Sequence, residues 1–578
     1  NYTEVYQAFS EYRLKRAASR EVFEVKQQHK FVKAMERLIL SAKKDTKQNP
    51  LETLTSFGKI ISSEFAKAYL IDAKYVRSHE EGSIYIHNLD EYVLGTTKSS
   101  VIDLSKIKPR DNYMPYLTNL LVNIKKEQYG EHTIASLDYE LVPYFVDTYK
   151  KYLIEELNRE FKEAGILEYI DFDSIEDEIE LLDTIEIDFM QFKKYIKSKK
   201  VEEIWKNSMD QALRNTKVWV KKELFLCLMS LEHNDTAIGS NNYAISIGTN
   251  SSTIGRMLNQ IILEIYKKES FRKVYLIFKV KERINYKTGP LTDLLEQVIE
   301  CIHENKNIRL SFLDATFNQT ESGCEVEYLP SGKRILDNIN PDKRVSKGRI
   351  LLATTSINLV RIALATKEKE AFYTELAVAI EHTKNELLQA FESVASKYKD
   401  DFKYLFQENI FLDSEKLDTN GKIRKILRSG TLDINITGLY EASLYLEKEA
   451  SSSLALEILT FIRKKADEIS QNERLNFVVS ETLNEKVRSY FLAIDKSIYG
   501  SIPGVTDKER YDTFSDAFLA DQDHRLERTG EYQKLTNGGH LLKIKLAKNV
   551  SLKKIQEIIQ DAHQNDIGYL DMKVRDGT

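Results

Sequence analysis

Val274-Tyr275-Leu276-Ile277-Phe278 and Ile308-Arg309-Leu310-Ser311-Phe312-Leu313 are two dense apolar runs, each of the length of a buried strand. Between them, Leu291 to Glu304 carries the spacing of an amphipathic helix. Strands that are apolar on both faces, separated by a helix, mark parallel strands covered by crossover helices. Toward the C-terminus, Leu351–Leu364, Leu432–Leu446 and Leu454–Ile469 continue the theme. Toward the N-terminus, Ile84-Tyr85-Ile86 and Val101-Ile102 read as short strands. Residues 1–70 and 112–161 read as helical, with Pro143 near a helix start or kink. The expected fold class is therefore α/β. An acidic block, Asp171 to Asp188, followed by the Lys-rich run Lys193–Lys200, predicts an inserted, solvated helical pair over residues 163–205.

The totals bound the function. A chain of 578 residues suggests two to four domains, unless it forms one large barrel with insertions. With 42% hydrophobic residues it has ample material for a core, so it is globular rather than disordered. Its 84 basic and 89 acidic side chains nearly cancel, to a net charge of −5, and no basic tract stands out. That argues against a nucleic-acid partner. The densest apolar stretch, Leu224 to Met229, is too short to span a bilayer, so no membrane partner is expected. The three cysteines, Cys227, Cys301 and Cys324, form no CxxC pair. This excludes a disulfide framework and a four-cysteine zinc site, predicts no metal within this chain, and fits a cytoplasmic protein. A phosphate-binding P-loop is absent, because Glu327 stands where its first Gly belongs and Arg334 where its Ser or Thr belongs. No GxGxxG fingerprint occurs.

Four stretches, in order, carry a family resemblance. The first is His79-Glu80-Glu81-Gly82-Ser83-Ile84-Tyr85-Ile86-His87-Asn88-Leu89-Asp90, followed by Gly95-Thr96-Thr97. The second is Ile277 to Tyr286, with Phe312-Leu313-Asp314-Ala315-Thr316-Phe317-Asn318 after it. The third is Gly348-Arg349 with Thr354-Thr355-Ser356-Ile357-Asn358-Leu359-Val360-Arg361. The fourth runs from Gly430-Thr431-Leu432 through Gly438-Leu439-Tyr440-Glu441 and Gly504-Val505-Thr506-Asp507 to Thr536-Asn537-Gly538-Gly539-His540. Together they resemble the anaerobic (class III) ribonucleoside-triphosphate reductases of the glycyl-radical enzyme family. The resemblance implies a ten-stranded α/β barrel over residues 21–570, a homodimer, and nucleotide-binding sites. Residues 1–20 are similar to the tail of an ATP-cone regulatory domain, a match that a plain basic helix explains as well. Residues 571–578 stand where the family's zinc and glycyl-radical region begins.

The sequence departs from the family where its chemistry lies. In the family, one cysteine generates the thiyl radical that abstracts a ribose hydrogen, and a second supplies reducing equivalents. Here the first stretch reads Thr96-Thr97-Lys98-Ser99-Ser100, and the finger-loop stretch reads Glu325-Val326-Glu327-Tyr328-Leu329-Pro330-Ser331-Gly332-Lys333-Arg334-Ile335. Both cysteine positions are serines, Ser99 and Ser331. An O–H bond is far stronger than an S–H bond, so serine cannot replace cysteine in that step. Cys324 is the one alternative thiol near the loop, seven positions upstream of Ser331.

What the resemblance keeps is scaffold for phosphates and sugars. The candidate nucleotide-binding residues are Gln128, His132 and Asp138, the backbone around Gly248-Thr249 and Gly538-Gly539, the Thr354-Thr355-Ser356 hydroxyls, and Asn358. Glu131 occupies the second position of a family Gly-Gly pair, which sets an acid near this site. His79, His87, His524 and His540 are expected to pack and hydrogen-bond rather than bind metal, and Asn318 and Asn358 to pin turns. The reading that follows is a homologue that binds a nucleoside triphosphate or deoxynucleotide, ATP or dATP foremost, and regulates as a dimer without reducing ribonucleotides. Two alternatives stay open. One is an active reductase using Cys324 and a glycyl-radical tail, with a radical-SAM activase as partner. The other is a scaffold protein docking through the 163–205 insertion.

Overall fold

The computed structural model describes residues 32–33, 36 and 50–574, apart from 108–111, 184, 186–191, 197, 235–241, 407, 450, 482 and 516–524. The segment similar to an ATP-cone tail and His524 lie outside the described residues.

Thirteen strands are described: β1 (Ile84–Ile86), β2 (Ser99–Ile102), β3 (His132–Ile134), β4 (Tyr243–Ile247), β5 (Val274–Val280), β6 (Ile308–Phe312), β7 (Glu327–Tyr328), β8 (Arg334–Ile335), β9 (Ile350–Asn358), β10 (Thr431–Thr437), β11 (Asn476–Glu481), β12 (Leu542–Leu546) and β13 (Tyr569–Val574). Ten of them follow one path, β11-β10-β9-β2-β3-β4-β5-β6-β13-β12, and β1 pairs with β9 off that path. Neighbours from β2 to β6 are parallel, as are β9 to β11 and the β12–β13 pair. The two groups meet antiparallel, at β2–β9 and at β6–β13. Between β11 and β12 the run into β12 spans the remaining side: Gly538 N–H donates to Val479 O at 2.8 Å and Gly539 bridges Ser480. The expected α/β architecture is present, and β13 carries the sheet to Val574.

The strands are short because both faces are covered. β4, β6, β10 and β11 are buried along their whole length, as parallel strands under crossover helices must be. Outside, helices such as Thr253–Lys268, Thr292–His303, Lys369–Ala395 and Ser452–Glu473 supply the apolar cover. Inside runs a finger, residues 313–349, whose arms pair as β7–β8. Its Leu329 and Ile335 pack on Val101, Ala135 and Leu351 of the barrel wall. Thr133 of β3 donates to Tyr328 O at 2.7 Å, and Arg334 N–H donates to Gly538 O at 3.0 Å.

The 163–205 insertion is more than a solvated pair. It joins two long helices, Val142–Glu163 and Lys199–Glu232, whose outer ends enclose a separate small core. Asp171 caps a helix, Phe172–Glu180, that buries Ile175 and Ile179 against Phe161, Phe192 and Trp205. The acidic face is solvated as the charge pattern predicts, while two isoleucines four residues apart turn the other face inward. No helix among the described residues is long and apolar enough to cross a membrane.

Candidate functional site

The strand directions give the barrel two ends. The tip of the finger points to the end where β9, β10 and β11 finish and β2 and β3 begin. The base of the finger lies at the other end.

At the tip, Leu329 N–H donates to Lys333 O and Gly332 N–H to Leu329 O, both at 2.8 Å, which closes a tight turn. Gly332 has φ +94° and Gly539, which passes beside it, has φ +108°. A Cβ on Gly539 would fall 2.1 Å from Gly332 O, so the two segments cross only because that residue has no side chain. Ser331 N–H donates to Glu131 Oε2 at 2.7 Å. From the barrel wall, Ser99 Oγ accepts the Glu131 backbone N–H at 3.0 Å. The two positions where the family resemblance places cysteines are thus held by one residue, Glu131, between them.

Register builds the rest of the chamber. Ser356 on β9, Asn435 on β10 and Ser480 on β11 stand directly opposite one another across three parallel strands. Ser356 Oγ donates to Asn435 Oδ1 at 2.7 Å, Asn435 Nδ2 donates to Ser480 Oγ at 2.8 Å, and Ser480 Oγ donates to Asp433 Oδ1 at 2.5 Å. Lys333 of the finger closes the network with an ion pair to Asp433 at 2.6 Å and a bond to Ser480. His87 Nε2 lies 2.7 Å from Ser356 Oγ. The Ser356 proton is already committed to Asn435, so His87 is the donor, through Nε2–H. Burial first, then the nearby Lys98 and Lys333, holds the His87 ring well below the ordinary histidine range and therefore neutral. Burial and Lys333 also lower Lys98 to about 8, against the pull of Asp433 and Glu131. Beside this row, a cavity of about 30 Å³ is lined by His87, Lys98, Tyr129, Thr354 and Glu386. It has room for about one water. Among the described residues Thr354 Oγ1 has no hydrogen-bond partner, while Thr355 donates to Glu386, whose carboxyl burial raises to about 7.

The residues proposed from sequence for nucleotide binding divide between the two ends. Gln128 and His132 stand behind the tip. Ser100 Oγ donates to Gln128 Oε1 at 2.8 Å and lies 3.0 Å from His132 Nδ1, and Gln128 Nε2 donates to Thr97 at 2.6 Å. Thr354, Thr355, Ser356, Gly538 and Gly539 belong to the tip end as well. Asn358 caps the helix Leu359–Thr366 and donates to Asp495 at 2.8 Å. Asp138, Gly248 and Thr249 lie at the base end. There Gly248 N–H is given to Asp138 Oδ2 at 3.0 Å, and Thr249 Oγ1 donates to Glu325 Oε2 at 3.2 Å. Lys279 joins Glu325 at 2.8 Å and Glu327 at 2.6 Å, and these acids hold it protonated against the cost of burial. Cys324, next to Glu325, belongs to this base region. Cys227 and Cys301 sit in the helices Lys199–Glu232 and Thr292–His303. No described cysteine is placed at the tip, and no group of three or more His, Cys, Asp or Glu among the described residues is set to hold a metal.

Sequence reasoning missed Lys98, Lys333, Asp433, Asn435 and Ser480, which only strand register brings together. It also missed a buried line at the same end. His540 Nε2 lies 2.6 Å from Ser515 Oγ and its Nδ1 lies 3.0 Å from Glu481 Oε2, while Glu481 Oε1 accepts the Phe514 N–H at 2.7 Å. His540 follows the Gly-Gly pair and so was in view, but nothing in the spacing links it to Ser515.

Comparison with known proteins adds the following. The family described as anaerobic ribonucleoside-triphosphate reductase matches residues 43–575. The chain is 21% identical over 549 residues to the anaerobic ribonucleoside-triphosphate reductase of Enterobacteria phage T4, covering 88% of this chain and 81% of that protein. It is likewise 21% identical to that of Escherichia coli K12, covering 87% of this chain and 69% of that protein. Among solved structures it is similar to the anaerobic ribonucleotide reductase from Thermotoga maritima in complex with dATP and CTP. That match has a TM-score of 0.63 and 12% identity, over 98% of this chain and 90% of the other.

Proposed function

The chain belongs to the anaerobic ribonucleoside-triphosphate reductase family, and on that premise we propose that it is a member that binds nucleotides and regulates as a dimer without thiyl-radical reduction. One observation carries this reading: Ser99 and Ser331 meet on the backbone and the carboxylate of Glu131, so the place for two sulfurs holds two hydroxyl side chains and an acid. Hydrogen abstraction from ribose needs an X–H bond close in strength to the C–H bond it forms from. A thiol meets that condition and an alcohol does not. The base-end position of Cys324, separated from the tip by the length of β7 and its turn, argues against its serving as the missing thiol.

Nucleotide binding rests on the family and on the T. maritima relative, which was crystallised with dATP and CTP. ATP and dATP are the first ligands to test. The exposed Val218, Trp219 and Leu226 on the Lys199–Glu232 helix support a dimer that forms along that helix. A radical-SAM activase is a partner only for a chain that carries a glycyl-radical tail.

The test is an anaerobic reductase assay of the full-length protein with a radical-SAM activase, beside a thermal-shift panel of NTPs and dNTPs. No deoxynucleotide and a selective shift are expected; at a thousandfold excess over Kd the stabilisation is about 4 kcal/mol. Deoxynucleotide formation would overturn the loss of reduction. A flat panel would overturn nucleotide binding.

A further inference from the structure

At the base end, an open cavity of about 710 Å³ separates the descending arm of the finger from β11 and the helix Ser452–Glu473. That volume lies within the range of small-molecule sites, about 300–1,000 Å³. Its charge is unbalanced. Arg334, Arg344, Arg463 and Lys534 line it against Asp337 and Asp467, which leaves two positive charges in excess. The two oxygens of Asp337 are taken by Arg334 at 2.9 Å and Arg344 at 3.1 Å. Although burial pushes the other way, these arginines hold the Asp337 carboxyl below its usual range, so it stays a satisfied anion. Arg463 Nε spans both oxygens of Asp467 at 2.9 and 3.0 Å. Lys534 pairs with no acid among the described residues. Excess positive charge in a cleft with low-dielectric walls concentrates anions there. The remaining wall mixes apolar side chains, with the half-buried Phe317 ring and Phe477 among them, and polar ones such as Asn338, Gln471 and Asn476.

We propose that this cavity binds a phosphate-bearing small molecule with a planar ring, a ligand of the nucleotide class. Its phosphates meet Arg344 and Lys534, and its ring lies against the Phe317 and Phe477 side. Phe317, Asp337 and Arg344 belong to the finger, whereas Phe477 and Lys534 belong to the barrel shell. A bound ligand therefore ties the finger to the barrel shell. The proposal rests on nucleotide binding by this chain and gives it a location that no sequence motif marked.

The experiment is calorimetric titration of the full-length protein with ATP, adenosine and inorganic tripolyphosphate, repeated on R344E/K534E and on the milder R344Q/K534Q. ATP is expected to bind more tightly than tripolyphosphate, and adenosine weakly. R344E/K534E is expected to weaken both phosphate ligands at least about tenfold, as loss of charge-assisted contacts predicts. R344Q/K534Q moves the affinity in the same direction by less, and serves as the measurement if the double reversal does not fold. Unchanged ATP affinity in a folded variant would overturn this site while leaving nucleotide binding elsewhere in the chain intact. No heat from any probe with the wild-type protein at millimolar concentration would overturn both.

Discussion

The two ends of the barrel spend their polar residues in opposite ways. At the tip, Lys333, Asp433, Ser480, Asn435, Ser356 and His87 satisfy one another, and the nearby cavity has room for about one water. At the base, arginines are neutralised only in part, and about 710 Å³ stands open. The family resemblance draws attention to the tip, where the cysteines would be. The physical features of a ligand site, volume and unbalanced charge, are at the base. Shared fold and shared site are separate inheritances, and side chains that bond to each other leave less for a ligand.

The sharpest way to break this contrast is Lys333→Met. It leaves Asp433, which is fully buried, without its counter-ion, and removing one partner of a buried pair costs about 3–5 kcal/mol. Urea unfolding of K333M should show that loss, and K333M/D433N should recover most of it. A K333M cost under about 1 kcal/mol would mean that the tip network is not a closed unit.

A smaller effect separates the tip by pH. Burial raises the Glu386 carboxyl to about 7, above its unfolded value near 4.5. A raised carboxyl pKa means that the folded state holds the proton more tightly. Its contribution is complete below about pH 4.5 and is lost as pH rises through about 7. Wild-type protein should therefore lose up to about 3 kcal/mol of stability between pH 5 and 8 that E386Q does not lose. The difference in melting temperature, E386Q minus wild type, should grow with pH over that window. A constant difference would remove the tip's titrating group.

The smallest effect is expected at the base. K534Q should change unfolding free energy by no more than about 0.5 kcal/mol, because Lys534 makes no ion pair among the described residues. A large loss there would show that the open end is as tightly tied as the closed one.

How much of this was written in the sequence depends on the range of the signal. β5 and β6 are visible as apolar runs, and the structure places them at Val274–Val280 and Ile308–Phe312, with the intervening helix at Thr292–His303. β1 is likewise where Ile84-Tyr85-Ile86 indicates. β3 is lost in a stretch that reads as helical, because three residues buried on both sides carry no alternation. Pro143 does mark a helix start, in the first turn of Val142–Glu163. In the insertion, the charge pattern shows the solvated face and hides Ile175 and Ile179. At the site, Glu131 is conspicuous as an acid where a glycine is expected, and the paired serines are visible through the resemblance. The partnership of residues 98, 333, 433 and 480 is not, since it depends on which strands become neighbours and in what register.

The row across β9, β10 and β11 has one last property: it is an arrow. Starting from His87, each donor passes its hydrogen the same way, to Ser356, to Asn435, to Ser480 and finally to Asp433. The Asn435 amide can take part in only one orientation, oxygen toward Ser356 and nitrogen toward Ser480, so no single member can turn around alone. The terminal carboxylate sets the sense of the whole chain, and a neutral amide at position 433 would leave that sense undecided. An aspartate on one strand thereby fixes how a histidine more than three hundred residues away holds its proton.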